Sequence, residues 1–296
     1  MFARHKGEWG LLLVTVIWGF GFPITDIALN YASPYQILMF RFGIATLLLS
    51  IVFHKHLKHI DKGTIVSGIV VGIFLFVSFL LQTVGLQFTT PSKSAFLTTT
   101  YVVMVPMIGF FLFRQNIGRY AIGGAVLALL GTALLSWEPG LSINPGDTLS
   151  LLCALGFACH VYFTGHYLNK GEDPVRLTIV QMAVALVCAC VAWFWVGEGP
   201  LFDIAPEGWL TVFYMGVVSM TVSYLLQTVS QKYVTNQTKA VVIMSMESVF
   251  GTAASILILS EVLTGRMFLG CVIILAGVLL SQIGSQLFNL IRKREC

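Results

Sequence analysis

The sequence predicts an all-α integral membrane protein: ten transmembrane helices arranged as two inverted five-helix repeats, with the N- and C-termini cytoplasmic. Three observations predict it. Hydrophobic residues make up 57% of the 296-residue chain and charged residues only 10%, with a mean hydropathy of +0.87. A soluble domain carries about 25% charged residues, and this chain could not cover a water-facing surface. The hexapeptide Phe79-Leu-Leu-Gln-Thr-Val84 returns as Tyr224-Leu-Leu-Gln-Thr-Val229, 145 residues later. Finally, the basic residues gather on alternate connecting segments.

Ten apolar stretches approach the ~20 residues that cross a bilayer. They fall at 9–29, 34–53, 64–86, 94–113, 118–137, 147–168, 175–196, 208–230, 240–260 and 267–290. None alternates apolar and polar residues as barrel strands do, so helices are expected. The first begins with Arg4 and Lys6 like a signal peptide, but it lacks a small-residue cleavage site, and Pro23 and Asp26 follow its apolar core. It is read as an uncleaved span. Pro34 opens the second, which carries Arg41; the third carries Gln82-Thr83, the fourth Pro106, and the fifth Gly124 and Gly131. A turn-rich linker follows, from Glu138 to Asp147. The sixth span carries His160, the seventh aligns Pro174 and Gln181 with Pro34 and Arg41, and the eighth repeats the polar pair as Gln227-Thr228. The ninth carries Glu247, and the tenth aligns Gly270 and Gly277 with Gly124 and Gly131. The repeats are therefore expected at 9–137 and 147–290, joined by 138–146.

With a cytoplasmic N-terminus, 14 of the 17 Lys and Arg residues fall on inside segments, Lys93 and Arg266 fall outside, and Arg41 lies within a span. The positive-inside rule then places both termini in the cytoplasm. The net charge of +4 is an orientation signal, so no nucleic-acid partner is expected. Five helices per repeat, an odd number, make the second copy run inverted, the architecture of a secondary transporter.

An ionisable group in hydrocarbon costs about 2.5–3.5 kcal/mol on insertion scales, so those inside spans should face protein or water. Glu247 can carry a proton, pair with a substrate ammonium, or remain a protonated acid bonded to a neighbouring helix. Arg41 can fork a substrate carboxylate, or snorkel and pin a helix; Asp26 is placed to pair with it at the cavity mouth. His160 can titrate or serve packing. Gln82-Thr83 and Gln227-Thr228 suit either two symmetric gates or interhelical bonds. Trp18, Phe22, Phe79, Tyr101, Tyr162, Tyr214 and Tyr224 suit either an aromatic lining or packing. His54, His56 and His59 lie on an inside loop, where a solvated role is favoured over metal binding. The six cysteines show no CxxC spacing, so neither disulfides nor zinc are expected.

Trp18-Gly-Phe-Gly-Phe-Pro23 and Arg41 resemble the opening of an EamA-type repeat, and Ser94-Ala-Phe-Leu-Thr-Thr-Thr-Tyr-Val-Val-Met-Val-Pro106 resembles its fourth helix. In the second copy Gly146-Asp147 resembles the repeat's start, and Met246-Glu-Ser-Val249, Ser260-Glu-Val-Leu263 and the Gly270/Gly277 pair resemble its closing part. The chain is thus similar to the EamA family of the drug/metabolite transporter superfamily from about residue 10 to 285. One departure is Gln115, where the family places a glutamate that Glu261 keeps in the second copy. The resemblance implies a ten-helix basket around a central cavity, no enzyme activity and no cofactor.

The expected function is secondary transport of a small metabolite (amino acid, amine or drug-like compound) across the plasma membrane, which is the inner membrane in a bacterium. Alternating access, export and proton coupling are expected, in a monomer or homodimer. A facilitative exchanger is the alternative. A passive channel would need a continuous polar stripe, which is absent, and no Gly-x-Ser-x-Gly or His-Glu-x-x-His motif suggests an enzyme. The expected substrate or proton residues are Glu247, His160, Trp18, Tyr101, Gln82, Gln227 and Arg41.

Overall fold

The computed structural model describes residues 5–116, 118–135, 144–197, 200–234, 236–259 and 264–294. All the regular structure among them is helical. Helix α1 spans Lys6–Ala28, α2 Pro34–Val52 and α3 Lys62–Leu86; a one-turn helix, His54–Leu57, lies between the last two. Helix α4 has two pieces, Pro91–Thr99 and Tyr101–Phe113, and α5 is Arg119–Leu135. Helices α6 and α7 are Pro145–Asn169 and Pro174–Val196. Helix α8 runs through Pro206–Tyr214, a π-helical stretch Met215–Val222, and Ser223–Tyr233. Helix α9 is again in two pieces, Gln237–Met244 and Glu247–Leu259, and α10 is Gly265–Arg294. Eight of these, all but α5 and α10, are long and apolar enough to cross a membrane; those two carry shorter apolar stretches, Arg119–Leu134 and Gly265–Ser281. Linker residues 138–143, Glu198, the Ser260–Leu263 stretch with Glu261, and Cys296 lie outside the described residues.

The helix starts share one chemistry. Pro34, Pro91, Pro145, Pro174 and Pro206 each occupy the first turn, where no amide donor is needed. Ser33, Thr90, Asn144 and Asp173 cap four of these starts by accepting a backbone N–H. At Ser33–Gln36 and Asn144–Asp147 the bond is reciprocated, a full capping box.

Helices α5 and α10 pair with each other through glycine. A Cβ on Gly124 would lie 2.6 Å from the Gly277 carbonyl oxygen, and one on Gly131 would lie 2.7 Å from that of Gly270. Small residues allow this backbone approach in a bilayer. Among the other helices, α3 packs on α6 and α7 while α8 packs on α1 and α2. Likewise α4 meets α6 while α9 meets α1, and α2 meets α7. Exchanging each helix for the one five places on leaves this set of pairs unchanged.

Two of the expected spans are not continuous helices. Helix α4 breaks at Thr100 and α9 at Ser245–Met246. At both breaks a hydroxyl takes a backbone carbonyl three residues back: Thr100 Oγ1 donates to Leu97 O (2.6 Å) and Ser245 Oγ to Val242 O (2.7 Å). Such bonds compete with the helical ladder. The π-helical stretch of α8 carries related bonds, from Thr221 Oγ1 to Gly216 O (2.8 Å) and from Ser223 Oγ to Ser219 O (2.5 Å). Apolar side chains cover the exterior, with Trp195 and Leu210 exposed at 89% and 77%, as suits a surface solvated by lipid.

The glycine contact between α5 and α10 predicts a stability effect. Gly124→Val places branched carbon against the Gly277 carbonyl and should destabilise the protein by about 1–3 kcal/mol, the range for overpacking. Gly118→Ala, where an added Cβ meets nothing within 4 Å, should leave the melting temperature in detergent unchanged.

Candidate functional site

The two helix breaks meet at the centre of the bundle. Tyr101 and Glu247, 146 residues apart, are each the first residue after a break. Glu247 is buried and accepts a hydrogen bond from Thr99 Oγ1 (3.3 Å), while Thr99 also bonds Ser248 Oγ (2.7 Å). The Tyr101 hydroxyl is buried beside the Glu247 carboxyl. Both side chains line a cavity that offers ≈ 50 Å³ to the centres of water-sized molecules. At about 10–15 Å³ per water this is room for a few waters.

The remaining walls come from seven helices, α9 adding Met244 from its first piece. Trp18, Phe22 and Thr25 enter from α1, Arg41 from α2, Phe79 and Gln82 from α3, and Thr98 from the first piece of α4. Phe157 and His160 enter from α6, and Ser219 and Tyr224 from α8. Trp18 is held by its indole, whose Nε1 donates to Ser223 Oγ (2.9 Å), and its ring lies 5.2 Å from that of Tyr224. Gln82 Nε2 donates to Thr98 Oγ1 (3.4 Å). His160 Nε2 bonds Gln181 Oε1 (3.0 Å), so the residue that aligns with Arg41 in the second half serves as a bracket for the histidine.

Arg41 has no such bracket. It is 3% exposed, its Cζ lies 4.1 Å from the Phe79 ring centroid, and its Nε has no hydrogen-bond partner. It belongs to none of the ion pairs among the described residues, which are His5–Glu8, Lys93–Asp147 and Arg176–Asp173. The expected pairing with Asp26 therefore does not form. Thr25 faces the cavity, and one further residue turns Asp26 about 100° around the helix. A cation and an acid thus share one chamber without bonding each other.

Six of the seven residues expected from the sequence line this cavity; Gln227 does not. Its Nε2 donates to Gln231 Oε1 (2.8 Å), and Gln231 Nε2 donates onward to Val161 O (3.2 Å) and Gln237 Oε1 (2.9 Å). These neighbouring amides, absent around Gln82, draw it into a buried network joining α8, α6 and the start of α9. Of the aromatic residues, Tyr162 lines a different cleft, with Gly109, His166 and Lys170, and the Tyr214 hydroxyl donates to Ile17 O (3.4 Å). Phe157 and Thr98 were not anticipated from the sequence. Phe157 lies three residues before His160, on the same helix face, and Thr98 lies within the quoted α4 motif. No group of three His, Cys, Asp or Glu that could hold a metal occurs among the described residues.

The family model of the EamA-like transporter family matches residues 5–137 and again residues 144–282. An uncharacterized transporter of Archaeoglobus fulgidus is 34% identical over 278 residues, covering 94% of this chain and 86% of the relative. A probable amino-acid metabolite efflux pump of Escherichia coli K12 is 23% identical over 291 residues, 92% of this chain and 93% of the relative. A solved crystal structure aligns with TM-score 0.75 over 96% of this chain and 99% of its own at 14% identity, a likeness of fold.

The unpaired guanidinium predicts an unusual substitution. Burying an ion without its counter-charge costs several kcal/mol, whereas stacking on one ring returns about 0.5–2 kcal/mol. Desolvation wins. Arg41→Met should melt no lower than the parent in ligand-free detergent solution; a fall of more than about 1 kcal/mol would reveal a stabilising partner for Arg41.

Proposed function

The chain belongs to the EamA-like transporter family, and from that premise we propose that it is a secondary carrier for a small zwitterion or amine with an apolar or aromatic body. It is a multi-pass membrane protein. In the proposed arrangement ten helices cross the cell membrane, α5 and α10 included, with both termini in the cytoplasm. They form two inverted repeats, 9–137 and 147–290, joined at 138–146. The symmetric set of helix contacts and the basic residues on inside segments support this reading.

The observation that carries the proposal is the chamber itself. It holds one buried cation and one buried acid that do not pair with each other, walled by Trp18, Phe79 and Tyr224. A substrate carboxylate satisfies Arg41 through a fork of N–H donors, an ammonium satisfies Glu247, and aromatic faces accept the rest. Cargo of this class also agrees with what the E. coli relative is named for. Transport follows from alternating access, with the two repeats exchanging conformation around the chamber. Export is the proposed direction. Glu247 couples the cycle to a proton, because the same carboxyl group that receives a proton in the empty carrier receives the ammonium in the loaded one. His160, Trp18, Tyr101 and Gln82 shape the chamber; Gln227 acts in the amide network outside it.

The test is reconstitution in liposomes with a lumenal pH dye, presenting amino acids, the amines that remain when their carboxylates are removed, and lipophilic cations. A substrate-dependent proton flux is expected with the parent and should be lost in Glu247→Gln. Isotope exchange without any pH change would replace the coupled mechanism with a facilitative exchanger and reduce Glu247 to a structural acid. Arg41→Gln should weaken amino-acid binding by about 2 kcal/mol or more, at least thirtyfold, while leaving the matching amine nearly unaffected. Equal losses for both ligands would remove Arg41 from carboxylate recognition.

A further inference from the structure

Three helices lead from the chamber to the cleft that holds Tyr162. On α4 the chamber takes Tyr101, and the cleft takes Val105 and Gly109, beginning about one turn further on. On α6 the chamber ends at Val161, and the cleft continues from Tyr162 through His166 to Lys170, the residue that caps the helix end. Helix α9 runs the other way, with Gln237 and Thr238 at the cleft and Met244 and Glu247 at the chamber. The cleft is the roomier, ≈ 460 Å³ against ≈ 50 Å³ for the chamber. Between them stands the amide network. Gln231 Nε2 donates to the carbonyl of Val161, a chamber residue, and to Oε1 of Gln237, a cleft residue. Cleft and chamber are therefore consecutive compartments along the same three helices.

The chemistry of the cleft is one-sided. Among the described residues that line it, Lys170 is the one lysine or arginine, and there is no aspartate or glutamate. The two acids that follow Lys170 are engaged elsewhere. Glu172 accepts from Thr64 Oγ1 (2.9 Å) and Ser67 Oγ (3.1 Å), and Asp173 caps the start of α7. Gln115 also lines the cleft; it stands 146 residues before Glu261, so a position that is acidic in the second half is neutral in the first. Gln237 and Thr238 form the first turn of α9, whose leading N–H groups have no acceptor within the helix. Tyr162 is 2% exposed, stacks on Phe113 with ring centroids 4.9 Å apart, and has a hydroxyl buried without a hydrogen-bond partner. The tip of its ring lies against Gly109, where an added Cβ would be 3.1 Å from Cε2 and 3.9 Å from Cζ. One cation among neutral donors balances a single negative charge through charge-assisted hydrogen bonds.

We propose that this cleft is a second binding site, an entry station where Lys170, the Tyr162 hydroxyl and the first turn of α9 take the carboxylate of a small solute before Arg41 does. The inference rests on the carrier reading above and adds a step to it. In the topology proposed there the cleft opens toward the cytoplasm, so the station serves loading for export. Gln227 then has a place in the route as well, because its bond to Gln231 builds the partition that the solute must pass.

Reductive methylation with isotope-labelled formaldehyde gives each lysine of the full-length protein an NMR signal and keeps its charge; the signal missing from Lys170→Arg belongs to Lys170. The titration is made on Arg41→Gln in uncharged detergent, so that the chamber offers no cation. Phenylpropionate should shift the Lys170 signal saturably, and phenylethylamine should not. Gln115→Glu, which adds an acid to the wall at an exposed position, should weaken the phenylpropionate titration about tenfold or more. No Lys170 shift, equal shifts with both compounds, a larger shift with inorganic phosphate, or indifference to Gln115→Glu would overturn the station. Transport in the liposome assay would then leave the carrier reading standing. A saturable Lys170 shift in a protein that transports nothing would end the carrier reading, and the entry role with it.

Discussion

An arginine and a glutamate inside a hydrocarbon layer can face only protein, each other, or a solute, and the interior of this molecule is organised around that restriction. Lipid offers no hydrogen bond, so the exterior is apolar to the point that Trp195 stands almost fully exposed. Every polar side chain that must be kept is turned inward. Arg41 is carried on the stacked face of Phe79, and Glu247 on the hydroxyl of Thr99. These partners hold the two groups in position, and neither supplies an opposite charge. The fold thus keeps a guanidinium and a carboxyl group in one chamber with no ion pair between them among the described residues.

Helix continuity gives way at the same place. The breaks in α4 and α9 put Thr99, Tyr101 and Glu247 at piece ends, where backbone and hydroxyl groups are no longer committed to a helical ladder. In a membrane such backbone is tolerated only where it is buried in protein or lines a cavity, and these breaks lie at one. The extended glycine contact of α5 with α10 stands apart from the chamber. Close backbone packing marks that seam, and broken helices mark the centre.

Much of this was legible in the sequence because its causes are local. Hydropathy marks the spans, and Pro after Ser, Thr, Asn or Asp marks their starts. The cost of burying charge identifies Arg41, His160 and Glu247 as interior groups whatever the packing. What escaped depends on which neighbour arrives. Gln82 and Gln227 sit in nearly identical hexapeptides, yet only Gln227 has Gln231 and Gln237 within reach, and it leaves the chamber for them. Asp26 and Arg41 have compatible depths, but rotation about the α1 axis separates them. The breaks and the π-helical stretch turn on whether a Thr or Ser hydroxyl takes a backbone carbonyl, a choice that hydropathy does not record.

A duplicated fold also has to break its own symmetry to make a useful site. Positions 41 and 181 correspond in the two halves, and a strict copy would bury two guanidiniums in the bundle, one lining the chamber and one behind its His160 wall. Here the second position is Gln181, a neutral amide that is consumed in holding His160. Positions 101 and 247 diverge in the same way, as a phenol and a carboxylic acid. The two halves therefore share helix contacts and breaks, while their chamber residues differ, so that one cation and one acid line the same cavity.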